Sequence, residues 1–192
     1  MKQLNKSLIK GLATYTLIAL TGAAAGTASA ATAVSGNMQI SATVIDKCTI
    51  STGNMVFGGY DGQAVNLTTI LTATATLTTA CAKSLSTAMW IGLNAGTSGG
   101  SMAARKMVGT GSNADKLNYS LKQPTDSGPG AAVCKAVGTG TNWDDGSGTK
   151  FTLPANAVGL SIRSYTVCGE VAAGQNIQAD AYTDSVIATI NF

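Results

Sequence analysis

The stretch ATAVSGNMQISATVIDKC, residues 31–48, alternates apolar and polar side chains over more length than one strand of a small domain needs. From Val34 to Val44 the even positions hold Val, Gly, Met, Ile, Ala and Val, and the odd positions hold Ser, Asn, Gln, Ser and Thr. This period of two predicts a strand with one buried face. At about 3.3 Å per residue the stretch spans roughly 36 Å, about twice the usual strand length. It is therefore long enough for two strands in series, an arm over 31–40 and a first domain strand over about 41–50.

The residues before this stretch predict a secretory signal peptide over 1–30. Lys2, Lys6 and Lys10 form a basic start, an apolar run follows, and Ala28-Ser29-Ala30 is a small-x-small cleavage site. A membrane anchor would need a longer uninterrupted apolar run. We expect the mature chain to begin at Ala31.

Cleavage would change the charge of the chain. The precursor has 12 Lys and Arg against 9 Asp and Glu, and the signal holds three of the basic residues and none of the acidic ones. The mature chain would then carry no formal net charge, which gives no basis for binding nucleic acid or an anionic membrane. No later segment is long and apolar enough to insert into a bilayer. The remaining length predicts one further domain, over 41–192.

Four cysteines remain, Cys48, Cys81, Cys134 and Cys168. An even number in a secreted protein predicts disulfides, and four cysteines allow three pairings. The in-order pairing is favoured because both loops then have similar lengths. The chain has no histidine and no CxxC motif, so neither a metal site nor a cofactor is predicted.

The rest of the chain predicts an all-β fold. Short alternating runs recur between Gly, Asn, Asp and Ser clusters, notably TTILTATATLTTAC (68–81), KLNYSLK (116–122) and LSIRSYTVCGEV (160–171). About seven such strands indicate an antiparallel β-sandwich. Arg105 and Lys106 fall in a long Gly-rich loop, where we expect them to be solvated.

Catalytic patterns in the chain lack their partners. Residues 96–100 fit G-x-S-x-G, but the serine of that motif needs a histidine base. Asp144 and Asp145 are adjacent and are expected to be solvated turn residues. Trp90 and Trp143 could stack on sugars, which would suit a carbohydrate-binding module, although a lone Trp in an alternating run is usually core. The sequence therefore predicts a protein that is not an enzyme.

Taken in order, VIDKCTI, MVFGGYDG, IGLNAGTSG, RKM, LNYSLK, WDDGSGT and AAGQNIQADAYTDSVIATINF give nearly all of the mature chain a resemblance to a known family. The chain resembles the spore coat U domain, which also builds the subunits of archaic, Csu-type chaperone-usher pili. Phe57, Gly58 and Tyr60 match the motif after the first cysteine, and Tyr182 and Asp184 match the turn into the last strand. Cys48 and Cys81 match the family's disulfide, whereas Cys134 and Cys168 are additional to it.

The resemblance implies an immunoglobulin-like β-sandwich that lacks its last strand. A periplasmic chaperone fills the gap first, and the N-terminal arm of a neighbouring pilin subunit fills it in the fibre, which crosses the outer membrane through an usher and serves adhesion and biofilm formation. The implied route is through the periplasm to the cell surface. The implied donor strand has the inward row Val34, Gly36, Met38 and Ile40.

The C-terminal stretch supports this reading from its residues alone. Residues 185–192 alternate to the last residue, and no charge or proline follows Asp184 to protect an exposed edge. An open edge at one end and a surplus strand at the other favour strand addition between copies. The alternative is a self-complemented monomeric envelope or spore-coat protein whose own arm completes the sandwich. The predicted inward row of this last strand is Val186, Ala188, Ile190 and Phe192.

Overall fold

The structure is a computed structural model, and it describes residues 35–43, 45, 47–81, 89–125, 133–146, 148–153 and 161–192. The chain divides into two units, Met1–Ala42 and Thr43–Phe192. The strands that the described residues form all lie in the second unit. The described residues contain no α-helix, and the predicted antiparallel β-sandwich is confirmed.

The larger sheet has six strands, all antiparallel to their neighbours. Its strands, numbered along the chain, are β1 (Cys48–Thr52), β2 (Leu71–Cys81), β4 (Arg105–Gly109), β5 (Lys116–Lys122), β7 (Ser161–Val171) and β8 (Tyr182–Thr183). Their order across the sheet is β1-β2-β7-β5-β4-β8. β2 and β7 pair over eleven residues and form the centre of the sheet.

The smaller sheet has three strands, β3 (Trp90–Leu93), β6 (Phe151–Thr152) and β9 (Ala188–Asn191). Their order across the sheet is β6-β3-β9. A 3-10 turn, Val65–Leu67, is the one short helical element among the described residues.

The core lies on the inward rows that the sequence alternation predicts. In β2 the odd positions are more buried than the even ones, and in β5 Leu117, Tyr119 and Leu121 are buried. Phe151 stacks at 4.5 Å from Trp143 and at 5.5 Å from Tyr165, ring centroid to ring centroid. The two sheets are thus held by one apolar cluster.

Two predicted strands have different bounds in the structure. Residues 35–43 belong to no strand, and β1 begins at Cys48, so the first domain strand predicted over 41–50 was placed too early. The last strand was predicted as one run over 185–192, but residues 184–187 lie between β8 and β9 and Phe192 lies beyond β9. A strand needs a hydrogen-bonding neighbour along its whole length, which alternation alone does not supply.

Both disulfides of the structure follow the in-order pairing that the loop lengths favour. Cys48 joins Cys81, its cross-strand neighbour in the β1–β2 pair, and Cys134 joins Cys168. The second disulfide fastens the connection between β5 and β6 to β7. Both loops, 33 and 34 residues in sequence separation, are thereby closed on the large sheet.

Arg105 was expected to be solvated, and that prediction is wrong. Its side chain is 0% exposed at the start of β4. The guanidinium donates hydrogen bonds of 2.7–2.8 Å to four main-chain carbonyls, those of Leu93, Asn94, Met102 and Trp143. A buried cation is tolerated here because backbone oxygens replace water around it.

Asp144 was also expected to be solvated, and it is only 8% exposed. Its carboxylate accepts hydrogen bonds from the Gly146 amide at 2.8 Å and from the Thr149 amide and hydroxyl. Burial alone would raise the pKa of Asp144, but these hydrogen bonds outweigh it and hold the pKa below its ordinary value. The turn after Trp143 is therefore an ordered, carboxylate-centred loop.

Among the described residues, none of the helical turns is long or apolar enough to cross a membrane.

Candidate functional site: an open apolar groove

An open groove runs along the domain between two chain segments, residues 53–63 and 175–188. Its floor consists of inward side chains from the large sheet and β3. It contains two hollows, of about 530 Å³ and about 850 Å³, which share Met55, Val56, Phe57, Met107, Tyr182 and Thr183. The floor residues are mostly apolar: Leu71, Ala75, Leu77, Leu93, Met107, Leu117, Tyr119, Leu121 and Val167.

The first wall is the segment that follows β1. Residues 53–60 belong to no strand, yet Met55 and Phe57 turn inward and are half-buried, whereas Val56 between them is 79% exposed. Met55 and Phe57 lie directly over Gly169 of β7, where a Cβ would come within 2.2 Å of the Met55 Sδ. Because Gly169 has no side chain, Met55 and Phe57 can pack directly on the backbone of β7.

Tyr60 fixes the C-terminal end of the first wall through hydrogen bonds. The Tyr60 hydroxyl donates to the Ala172 carbonyl at 3.0 Å and accepts from the Gln175 amide at 2.8 Å. Gly62 packs against the same segment, since a Cβ there would lie 2.4 Å from the Gln175 oxygen. The two walls therefore meet at this end of the groove.

The second wall is the C-terminal chain, which changes sheets along the groove. β8 pairs with β4 in the large sheet, and β9 pairs with β3 in the small one. Between them, the carbonyl of Ser185 accepts from the Thr97 amide, and the amide and carbonyl of Ile187 bond to Asn94. Within the described residues, no strand pairs with the other side of β9.

Asp184 stands at the point where the C-terminal chain leaves the large sheet. Its Oδ1 accepts from the amides of Thr97 at 2.9 Å, Ser98 at 3.0 Å and Ser185 at 2.8 Å. Its Oδ2 accepts from the Tyr119 hydroxyl of β5 at 2.6 Å. One carboxylate thus joins β5, the loop after β3 and the second wall of the groove.

The electrostatics of this junction favour the charged carboxylate. Burial would raise the pKa of Asp184, but the hydrogen bonds, that of Tyr119 foremost, hold it below its ordinary value. Burial, followed by the bond to Asp184, raises the pKa of Tyr119. Arg105, whose own pKa is lowered by burial, adds a positive charge nearby.

Three of the four predicted last-strand residues face the core, and the fourth does not. Val186, Ala188 and Ile190 are half-buried and pack against the core, and Val186 and Ala188 line the groove. Phe192 is 52% exposed and departs from the predicted inward row, because β9 ends at Asn191. The predicted row therefore describes the wall as far as Ile190.

The predicted donor residues belong to the other unit of the chain. Met38 and Ile40 are 84% and 85% exposed, and Gly36 is also exposed. Val34 lies outside the described residues. Two large apolar side chains are thus displayed at alternate positions of an unpaired segment.

The groove can hold an extended apolar segment more readily than a small polar ligand. Its floor is apolar, and Ala188, the first residue of β9, lies at its side. In the described part of the chain, no three Cys, Asp or Glu side chains cluster as metal ligands would. Trp143 is 0% exposed and presents no face for sugar stacking, and the half-buried ring of Trp90 has the Lys150 Nζ 5.5 Å from its centroid.

Sequence reasoning missed Gly169, on which the first wall packs, and Arg105, which donates to the carbonyl of the groove residue Leu93. Both contribute through tertiary contacts to distant segments. A weak signal exists for β4, since Arg105 and Met107 alternate with Lys106 and Val108 in the otherwise Gly-rich loop. Gly169 sits in an alternating strand, where an isolated glycine indicates a close approach of another chain segment.

Comparisons with known proteins agree with one another. Residues 34–189 match the model of the Spore Coat Protein U domain. The chain is 31% identical over 189 residues to Protein U of Myxococcus xanthus, and the match covers 94% of this chain and 93% of that protein.

A solved structure shows the same fold. It is a chaperone–tip adhesion subunit pre-assembly complex from the archaic chaperone-usher Csu pili of Acinetobacter baumannii, and it matches with a TM-score of 0.50 at 18% identity. The match covers 78% of this chain but only 40% of the chain in that complex. At this identity the likeness extends to the fold alone.

Proposed function

The chain belongs to the Spore Coat Protein U domain family, and on that premise we propose that it is a structural subunit of a secreted surface fibre, a pilus or fimbria assembled by donor-strand exchange. The observation that carries the proposal is the open apolar groove, which Ala188 of β9 lines, together with the outer side of β9, which pairs with no strand of the described residues. A sandwich with such a groove is an acceptor for one further strand.

The donor is the arm over residues 31–40 of a neighbouring copy. Met38 and Ile40 are exposed at alternate positions, as a strand with one inward face requires. Each would contribute about 1.5–3 kcal/mol on full burial, opposed by the cost of ordering the arm. Because the arm of one subunit enters the groove of the next, the contact does not close on itself and yields a fibre.

Residues 1–30 are, in this proposal, a signal peptide that directs the chain to the periplasm, and residues 41–192 are the pilin domain. A periplasmic chaperone holds the groove until an outer-membrane usher exchanges it for the neighbour's arm. The protein in the structurally similar complex is a tip adhesion subunit bound to a chaperone, which supports such partners for this chain. The fibre would serve adhesion and biofilm formation, without any enzymatic activity.

A second candidate is a self-complemented monomeric envelope or spore-coat protein. The family description names a spore coat, and the match to Protein U covers nearly the whole of both chains. In this case the arm of one chain fills its own groove, and no polymer forms. The two candidates differ in the number of chains that share one groove.

A double substitution in the arm tests the proposal. Met38→Asp with Ile40→Asp should leave a folded, chaperone-bound subunit that does not polymerise, because two charges cannot enter the apolar groove. Ser35→Asp with Gln39→Asp is the matched control, since it adds the same charge on the opposite row of the arm. Polymer formation by the first variant at the level of the second would contradict the proposal.

A further inference from the structure

We propose that Asp184 is a positioning residue that holds the second wall of the groove open for a donor strand, and that acid releases this hold. This inference rests on the proposed function and adds a control to it. Asp184 itself lines the first hollow, next to Tyr182, Ser185 and Val186.

Asp184 makes its hydrogen bonds where the second wall belongs to no strand. Residues 184–187 belong to no strand and connect two short strands that lie in different sheets. Across this gap the carboxylate bonds forward to the Ser185 amide and sideways to the Thr97 and Ser98 amides. Without these bonds the wall would keep its hydrogen bonds to the loop after β3 at Thr183, Ser185 and Ile187.

The hydrogen-bond pattern requires a charged carboxylate. All of the partners that contact Asp184 are donors: three amides, the Thr97 hydroxyl at 3.2 Å and the Tyr119 hydroxyl. A protonated carboxyl group would direct its own hydrogen towards one of these donors and would lose the charge that strengthens the rest. Protonation should therefore loosen the whole junction.

The loop after β3 is shaped to receive this carboxylate. Gly96 has a φ of 84°, and a Cβ at that position would lie 2.0 Å from the Asp184 Oδ2. A glycine is thus needed both for the backbone conformation and for the approach of the carboxylate.

The charged groups around the junction also favour ionisation. Arg105 of β4 supplies a buried positive charge, Tyr119 of β5 supplies a neutral donor, and the Lys116 Nζ donates to the Ser98 carbonyl at 2.7 Å. The other side chains that contact Asp184 from the loop after β3 do not titrate. The negative charges of Asp144 and Asp145 also act on Arg105.

The direction of the pH effect follows from these contacts. The hydrogen bonds hold the pKa of Asp184 below its ordinary value near 3.8. The hold on the wall is therefore complete above that value and is lost as the pH falls through the lower pKa of the folded state. Strand uptake should weaken in acid below about pH 4.

The experiment measures uptake of a fluorescent peptide of residues 31–40 by the full mature chain carrying Met38→Asp and Ile40→Asp, so that its own arm cannot occupy a groove, by anisotropy between pH 2.5 and 7. In this chain, which is wild type at position 184, we expect apparent affinity to fall in acid. For Asp184→Asn we expect an affinity about tenfold lower at neutral pH, with little further change in acid. Asp144→Asn is the control, because Asp144 is a buried carboxylate with similar bonds that does not line the groove.

The outcomes separate the inference from its premise. A folded Asp184→Asn variant with the affinity and the acid profile of wild type would overturn the inference. If that variant does not fold, Tyr119→Phe decides, since it removes one donor and leaves the charge: a weakened uptake with its acid midpoint at higher pH supports the inference, and unchanged uptake overturns it. If the chain that is wild type at position 184 takes up no peptide at any pH, this result contradicts the proposed function itself, and the inference with it.

Discussion

Gly169 and Met55 are in contact across the groove floor, so that a Cβ on Gly169 would lie 2.2 Å from the Met55 Sδ and 2.7 Å from the Phe57 Cζ. This contact determines how closely the first wall approaches β7. Phe57 of the first wall also contacts Tyr119 of the floor edge-on, with 6.1 Å between the ring centroids, and the Tyr119 hydroxyl donates to Asp184. Tyr119 therefore connects the first wall to the Asp184 junction. The width of the groove therefore depends on position 169 being a glycine, which has no side chain.

Gly169→Ala should displace Met55 and Phe57 and alter the groove. The atoms it meets are the ends of side chains that can shift, so we expect a loss of about 1–3 kcal/mol in unfolding free energy. Strand uptake should fall more than stability, because the moved wall is the one that a donor strand contacts. Gly59→Ala is the control, since a Cβ there meets nothing within 4 Å. Equal peptide uptake by both variants would argue against this role of Gly169.

Arg105→Met should be severely destabilising. It removes the donors for four main-chain carbonyls, and each buried carbonyl left without a partner costs about 1–3 kcal/mol. We expect a total loss on the order of 3–5 kcal/mol in guanidinium unfolding. Lys106→Met, at the half-buried neighbouring position, should change the midpoint little. A small effect of Arg105→Met would mean that water reaches these carbonyls.

Removal of either disulfide should destabilise the domain by a similar amount. The closed loops differ by one residue in sequence separation, and the chain-entropy model gives about 3–4 kcal/mol for each. The comparison is between Cys48→Ala with Cys81→Ala and Cys134→Ala with Cys168→Ala, measured by urea unfolding. A loss confined to the first pair would show that the second loop is already ordered in the unfolded chain.

Asp144→Asn should make stability less sensitive to acid. The pKa of Asp144 is held below its ordinary value, so its contribution is present above about pH 3.8 and is lost as the pH falls through the lower folded value. At neutral pH we expect a loss of about 1.5–3 kcal/mol relative to wild type. The gap should narrow towards pH 2. Unfolding curves whose separation stays constant with pH would refute this assignment.

The long strands could be predicted from the sequence because their alternation of apolar and polar residues matches the alternation of buried and exposed side chains in the structure. β5 has the bounds of KLNYSLK, and β7, Ser161–Val171, lies within the predicted run over 160–171. In both, the inward row of apolar residues is long enough to determine which face is buried. The same reasoning identified the inward row of the C-terminal chain up to Ile190.

The failures arose where tertiary contacts override local pattern. The charge of Arg105 argues for solvent, but four carbonyls that come from three separate segments surround it. The alternation over 185–192 continues without a break while the chain passes from one sheet to the other at Asp184. Neither the carbonyl cluster nor the change of sheet leaves a periodic signal in the sequence.

The most direct test of the account is electrophoresis of the purified mature chain in SDS without heating, compared with a chain that lacks residues 31–40. Exchange of arms between subunits predicts a ladder of multimers for the full chain, its collapse to monomer on boiling, and a monomer alone for the shortened chain. A single monomer band from the full chain, or an undiminished ladder from the shortened one, would contradict assembly by donor-strand exchange.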